Sequence, residues 1–235
     1  MMTIAPAANG PTSDDPVAPV LAKGASLAEQ AYGFLKGNII SLQYPPGSPL
    51  LENQLAKQLG ISRSPMREAL ARLEREGFIE IVPWKGARVR EINLKQITDL
   101  YQVRICLEGM AARLAVPNLD RRELETVRAA MNELAPRVEQ GDILAFYEHD
   151  VVFHDLYVAN CGNDLLISSL AGIRDHIQRI RNFLSANSVS GQHEYLSLGE
   201  HQAALQAFQT GSGEAAERAV RTHLEKILER VAAVL

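Results

Sequence analysis

Four residues in the C-terminal half of this chain have the types and spacing of a metal site: Asp150, His154, His201 and His223. Asp150 and His154 are four apart, so on a helix they share a face, one turn from each other. His201 lies 11 residues before Ser212 and His223 lies 11 residues after it, and Gly211-Ser-Gly213 reads as the turn of a helical hairpin. In an antiparallel helix pair, equal distances from the turn put two residues at one height, so the imidazoles can face each other. Three nitrogens and one oxygen suit Zn²⁺, and also Ni²⁺ or another first-row divalent ion. Sites in helical bundles are built from facing helices and short helical spacings of this kind. Such a set can also activate water, as a metal-dependent hydrolase does. Against that reading, no further carboxylate is clearly placed as a general base. His149, His176 and His193 have no comparable partner and read as surface or structural residues.

A second cluster is cationic. Gly60-Ile-Ser-Arg-Ser-Pro-Met-Arg-Glu-Ala-Leu-Ala-Arg-Leu-Glu-Arg-Glu-Gly77 reads as a turn and a short helix. Gly60 can end a preceding helix in the left-handed conformation, and Ser64-Pro65 reads as an N-cap followed by proline at the first helical position. Met66, Ala69, Leu70 and Leu73 form the apolar stripe. The other face carries Arg63, Arg67, Arg72 and Arg75, with Ser62 and Ser64 at its start. Arginine can fork onto guanine O6 and N7, and a helix N-terminus favours phosphate. The same face would also serve as an ordinary solvated surface. Further on, Arg104 sits on an apolar stripe with Ile97, Leu100, Tyr101 and Ile105, where it needs an anion. Glu108 one turn on is one candidate; a ligand carboxylate that also reaches the metal is the other. Arg174 and Arg181 are weaker candidates for the same clamp and read rather as solvated residues.

The elements that position these residues are mostly helices. The 235 residues suggest about two domains, and 46% hydrophobic with 22% charged residues is a globular composition. No apolar run approaches the ~18 residues needed to span a membrane, and the N-terminus lacks the basic start and apolar block of a secretory signal. Two cysteines, Cys106 and Cys161, suggest no disulfide framework, so a reducing cytoplasm is expected. Charge is unevenly spread. Residues 27–90 hold 9 Lys+Arg against 6 Asp+Glu, a net of +3, whereas residues 91–235 hold 14 against 20, a net of −6, along with all six histidines. A basic head and an acidic, histidine-bearing body suggest two tasks.

Residues 1–25 are rich in Ala, Pro, Gly, Ser and Asp and read as a disordered tail. Ser26-Leu-Ala-Glu29 is a capping box opening a helix with Leu27, Ala31, Phe34, Leu35 and Ile39 inward. Tyr44-Pro-Pro-Gly47 breaks the chain, and a second helix runs from about Glu52 to Leu59. After the arginine-bearing helix, Ile79–Val82 and Ala87–Val89 read as strands around Pro83-Trp-Lys-Gly86. Helix, helix, turn, helix, hairpin is the order of a winged helix-turn-helix, which favours DNA reading by the third helix. From Asn93 onward helical periodicity dominates, with helices expected over about 94–115, 121–139, 142–159, 164–186, 192–209 and 214–234. Pro136 should kink or end its helix. The expectation is a mostly α protein: a winged helix-turn-helix with a β-hairpin wing over 26–91, and an antiparallel all-α bundle over 92–235.

These residues resemble the GntR family of bacterial transcription regulators, in its FadR-like branch with an FCD effector domain. The head carries Pro46-Gly-Ser-Pro-Leu50, Glu52-x-x-Leu-Ala56, Leu59-Gly-Ile-Ser-Arg-Ser-Pro-Met-Arg-Glu-Ala-Leu70, Glu76-Gly-Phe and Lys85-Gly-Ala-x-Val89. The body carries Arg104-x-x-Leu-Glu108, Asp150-x-x-Phe-His154, Gly162-Asn163, Glu200-His201 and His223. The resemblance implies that Arg63 and Arg67 read bases or phosphates, that Ser62 and Ser64 contact phosphate, and that Lys85 and Gly86 form the wing tip. Asn53 stands where some members carry a DNA-contacting arginine. Asp150, His154, His201 and His223 would hold the metal, Arg104 would engage an effector carboxylate, and Ser197 would be its polar neighbour. The implied protein is a homodimeric repressor of organic-acid metabolism that binds a palindromic operator and is not an enzyme. A metal that is itself the signal, or that only holds the bundle together, remains an alternative.

Overall fold

The computed structural model describes residues 24–84, 86–187 and 192–233. Residues 1–23, most of the expected tail, lie outside the described residues, as does Lys85. The chain divides into two compact units, Met1–Glu91 and Ile92–Leu235.

In the first unit, α1 (Leu27–Ile40) starts where the Ser26 hydroxyl accepts from the Glu29 amide at 3.1 Å. Ala31, Leu35 and Ile39 are buried, but Leu27 is exposed and Tyr32 takes an inward place instead. Leu27 is the first helical residue, where its neighbours on the stripe cannot cover it. α2 (Glu52–Gln58) and α3 (Arg63–Arg75) are joined through Gly60, whose φ of 64° ends α2 in the left-handed region. α3 begins two residues earlier than expected. Ser62 is the extended N-cap residue, its side chain makes no capping bond, and Pro65 sits inside the first turn. Proline is tolerated there because first-turn amides have no helical partner.

The sheet has three strands in the order β1-β3-β2: β1 (Pro49–Leu50), β2 (Ile79–Val82) and β3 (Gly86–Val89), both pairings antiparallel. The expected hairpin is present, and β1 is an addition, pairing Leu50 with Ala87. A two-residue strand starting with proline has no periodicity to read, and proline is confined to edges. Leu50, Met66, Leu73, Phe78, Ile79 and Val89 are fully or almost fully buried at the centre of this unit.

The second unit holds, among the described residues, α4 (Leu94–Ala115), a 3₁₀ turn (Val116–Asn118), α5 (Arg121–Glu139), α6 (Ile143–Ala159), α7 (Asp164–Asn187), α8 (Gln192–Gln209) and α9 (Gly213–Ala232). Asn93, Asp120, Asp142 and Ser212 each cap the helix that follows through a side-chain oxygen. Pro136 does not end α5, which continues to Glu139. Close approach of α4 and α9 depends on glycine. A Cβ on Gly213 would lie 2.9 Å from the Arg113 carbonyl oxygen, and one on Gly109 would lie 2.7 Å from Arg221 Cγ. Gly211, at φ 75°, turns the chain between α8 and α9.

Candidate metal centre and DNA-reading face

α6 projects Asp150 and His154 from one face, and the α8–α9 hairpin brings His201 and His223 to the same height. All four are buried, and one ligand atom from each lies within 4.8 Å of the others. Nε2 of His201 is 3.0 Å from Nε2 of His223. Oδ1 of Asp150 is 3.5 Å from His154 Nε2 and 3.4 Å from His201 Nε2. Donors on a tetrahedral ion with bonds near 2.0–2.1 Å stand about 3.3 Å apart, so these separations are those of a ligand cage.

The outer atoms of the cage are tied down. His154 Nδ1 is 2.6 Å from Glu108 Oε2 and 2.5 Å from the Tyr157 hydroxyl, which itself donates to Glu108. His223 Nδ1 is 2.9 Å from Glu200 Oε2, and Arg230 donates to both oxygens of Glu200. Arg181 is 2.5 Å from Asp150 Oδ2, leaving Oδ1 to face the imidazoles. Phe153 stacks on His201 with centroids 4.1 Å apart. Carboxylates on Nδ1 fix the tautomer that offers Nε2 to a metal. Nε2 of His154 is buried with no hydrogen-bond partner. A buried nitrogen without a hydrogen bond, facing two imidazoles and a carboxylate, fits a bound cation.

The electrostatics of Asp150, His201 and His223 agree with that fit, whereas those of His154 without a metal favour its protonated form. Burial pushes the Asp150 carboxyl up, but Arg181 and His154 outweigh it and hold the group well below the usual carboxylate range. Burial pulls His223 down to about 4, and burial with His223 nearby pulls His201 well below the ordinary imidazole value, so both are neutral imidazoles near pH 7, the form that can ligate a metal. Burial opposes charge on His154, but Glu108 and Asp150 outweigh it and raise its pKa.

One side of His154 opens on a cavity of about 230 Å³. Arg104, Arg174 and Arg181 line it, with Val151, Val158 and Leu170 among its apolar walls. Arg104 is buried, 2.6 Å from Glu108 and 4.9 Å from the centre of the Tyr101 ring. Arg104 thus has the ion pair with Glu108 that the sequence offered, and it also lines the cavity. Arg181 is not solvated as expected, since it is largely buried against Asp150. Arg174 is exposed and paired with Asp155. Ser197, expected beside an effector, is not among the lining residues, and its hydroxyl accepts from Arg230 at 2.9 Å. His149 and His176 are half-buried, and the His193 side chain lies outside the described residues.

Sequence reasoning missed Glu108 and Glu200 as partners of histidine. The signal for Glu108 was its place on the buried stripe of α4, one turn from Arg104. The signal for Arg181 was the Arg174, Gln178, Arg181 spacing, which lines one face of an otherwise apolar-periodic α7. Both carboxylates lie on the Nδ1 edges of their imidazoles, so neither is placed as a base for water inside the cage.

In the first unit, Ser62, Arg63, Ser64, Arg67, Asn53 and Gly86 are all exposed. Arg67 Nε donates to Glu52 at 2.9 Å, linking α3 to α2. Arg72 differs from the other arginines of α3. Its guanidinium lies 3.6 Å from the centre of the Tyr32 ring and pairs with Glu29 and Glu76 at 2.9 and 3.1 Å. Its role is to join α3 to α1. Among the described residues no helix is long and apolar enough to cross a membrane.

Comparison with known proteins matches residues 99–226 to the FCD domain and residues 27–89 to "Bacterial regulatory proteins, gntR family". The chain is similar to the HTH-type transcriptional repressor RspR of Escherichia coli (strain K12), 28% identical over 203 residues, covering 86% of this chain and 88% of that protein. It is also similar to the Nta operon transcriptional regulator of Aminobacter aminovorans, 34% identical over 144 residues, covering 60% of this chain and 67% of that protein. In fold it is similar to the solved structure of E. coli McbR/YncC, with a TM-score of 0.68 and 23% identity, covering 89% of this chain and all of that one.

Proposed function

Because the chain belongs to the GntR family of bacterial regulatory proteins and carries an FCD domain, and so is a DNA-binding transcription regulator and not an enzyme, we propose that it is a cytoplasmic, homodimeric repressor released from its operator by a small organic acid. Repression is the role named for the similar RspR. Ser62, Arg63, Ser64 and Arg67 contact the operator, with Asn53 and the wing residues Lys85 and Gly86 beside them. Two heads then read half-sites about one helical turn, roughly 34 Å, apart. The dimer is supported by the exposed Val103 and Met110 on α4, which alternate at the three-and-four spacing of a helix–helix seam with Leu100, Leu107 and Leu114, themselves half-buried and packed partly on the core.

In the second unit, Asp150, His154, His201 and His223 hold a divalent ion, Zn²⁺ or Ni²⁺, which when bound supplies a Lewis-acid coordination point for a carboxylate oxygen. Arg104 and Arg181 supply charge-assisted donors for the rest of the acid. The observation that carries this reading is that His154, whose Nε2 is buried without a partner among the other three candidate ligands, also lines a cavity that contains Arg104 and Arg181. It favours an acid as the signal over the metal alone, since a purely structural site has no need of a cavity beside it that offers guanidinium donors among its lining residues. For the switch to work, the acid must bind the released arrangement better. About 5.5 kcal/mol of difference turns 99:1 into 1:99.

The test is a thermal-shift screen of sugar acids, hydroxy acids and dicarboxylates, each with and without added Zn²⁺ or Ni²⁺. A ligand raises the melting temperature by mass action. An acid that stabilises only the metal-loaded protein, and that releases it from DNA in a gel shift, is the expected result. Stabilisation by metal with no response to any acid would favour the metal as signal.

A further inference from the structure

The cavity beside His154 is walled by aliphatic side chains, Val151 and Val158 from α6 and Ile167, Leu170 and Ile177 from α7. Its charged groups are in balance. Arg104, Arg174 and Arg181 are matched in number by Glu108, Asp155 and Asp175. Each arginine also has a carboxylate beside it: Arg104 pairs with Glu108, Arg174 with Asp155, and Arg181 with Asp150. In the cage, histidines ligate as neutral imidazoles, so Asp150 leaves one positive charge of a divalent ion unmatched. Apart from His154, the uncharged hydrogen-bonding side chain of the lining is Gln178, whose amide donates to Asn182 at 2.9 Å.

We propose that the acid taken at this site is a short aliphatic monocarboxylate of about four to six carbons, its carboxylate at the ion and its chain along the α6–α7 wall. The proposal rests on the reading of the second unit as an acid-sensing metal site and narrows the acid. One carboxylate matches the one unmatched charge. A second would enter a lining whose arginines are already paired, and an uncompensated charge taken from water is costly. Hydroxyls along the body would face methyl groups, and a polar group that loses water without gaining a partner costs affinity. A hydroxyl next to the carboxylate stays at the polar end. Aliphatic hydroxy acids therefore belong to the class, whereas sugar acids and dicarboxylates do not. Volume sets the chain length. The cavity of about 230 Å³ is smaller than the ~300–1,000 Å³ of sites for drug-sized ligands. At ~30 Å³ per water-sized group it takes about seven or eight non-hydrogen atoms.

The experiment titrates the full chain, loaded with Zn²⁺, in a calorimeter with three acids of one carbon skeleton: pentanoate, pentanedioate and tetrahydroxypentanoate. Pentanoate should bind roughly 10-fold more tightly than either of the others. From acetate through propanoate and butanoate to pentanoate, each methylene should tighten binding about four-fold, the equivalent of ~0.8 kcal/mol per buried CH₂. The gain should stop beyond hexanoate, where the chain outgrows the cavity. Val151→Thr keeps the shape of the side chain and should weaken pentanoate about three-fold relative to acetate. A cooperative unfolding transition shows that this variant folds. Tighter binding of pentanedioate or tetrahydroxypentanoate than of pentanoate overturns this choice of acid and leaves acid sensing in place. Equal binding of acetate and pentanoate does the same, since the aliphatic wall then contributes nothing. No response of the metal-loaded protein to any of these acids, or to the wider screen, overturns both readings.

Discussion

Nε2 of His201 and Nε2 of His223 stand 3.0 Å apart although 22 residues separate them in the chain. The turn at Gly211-Ser212 is the centre of that symmetry, and Ser212 fixes the start of α9 by accepting from the Ala215 amide at 3.2 Å. Two lone pairs at this separation repel unless a proton or a cation lies between them. Chelation of metal-loaded protein should therefore lower its melting temperature. A ligand present at a thousand times its Kd contributes about 4.1 kcal/mol, which is about 10 °C for a domain of this size. His201→Ala should purify without stoichiometric metal and show no such drop. Elemental analysis that finds full occupancy in that variant would remove His201 from the ligand set.

Glu108 and Glu200 hold the outer nitrogens of His154 and His223. Removing such a partner typically lowers metal affinity 10–100-fold. Glu108→Gln and Glu200→Gln should each weaken metal binding in a chelator-competition titration by about that factor. Glu108→Gln should also unfold more easily, because it leaves the buried Arg104 without its counter-charge.

Arg67 and Arg72 lie five apart on α3 yet do different work. Arg67 is exposed and Arg72 is folded onto Tyr32. Arg67→Ala should weaken operator binding by ~1–3 kcal/mol and relax base preference, with little change in melting temperature because exposed pairs such as Arg67–Glu52 contribute little. Arg72→Ala should do the reverse, lowering the melting temperature while leaving base preference as it was. Salt-controlled binding titrations and thermal unfolding of the two variants distinguish these outcomes.

That contrast also marks how far the sequence could be read. Helix ends came from capping residues and glycines, and most fell within a residue of the structure because those signals are local. The grouping of Asp150, His154, His201 and His223 followed from counting away from one turn. What counting could not supply was contact. A charged residue on an apolar stripe announces that it needs a partner, but not that Arg181 finds Asp150, nor that Glu108 serves Arg104 and His154 at once. Arg72 fell on the polar face by periodicity, and only the packing of α1 against α3 turns it inward. β1 was invisible because two residues carry no period.

Glu76 joins Tyr32, Lys36 and Arg72 at the base of α3, accepting from them at 2.8, 3.0 and 3.1 Å. Burial raises the pKa of its carboxyl, but those hydrogen bonds outweigh it and the net shift is downward. A carboxyl lowered in the folded state binds fewer protons there than in the unfolded chain. Its stabilisation is therefore present above the ordinary glutamate value of about 4.3 and is lost as pH falls through the depressed one. Glu76→Gln should unfold at a lower temperature than wild type at about pH 6, and the difference should shrink towards about pH 3. A gap that is constant across that range would show that charge on Glu76 contributes nothing.

Arg181 gives the proposed acid and metal sites a shared element. It holds Asp150 Oδ2 at 2.5 Å and also lines the cavity beside His154. An acid that draws on Arg181 changes the field at a metal ligand, so each ligand should alter the affinity of the other. Linkage makes the two effects equal: the factor by which metal tightens the acid is the factor by which acid tightens the metal, typically 5–150-fold. Arg181→Met keeps much of the apolar stem and removes the donor to both. In that variant the coupling factor should fall towards one in calorimetric titrations of the acid with and without metal, and of the metal with and without the acid. Arg181→Lys keeps the charge without the fork and should fall between. If Arg181→Met retains the full wild-type factor, the two sites communicate only through direct contact of the acid with the ion, and the arginine has no part in the switch.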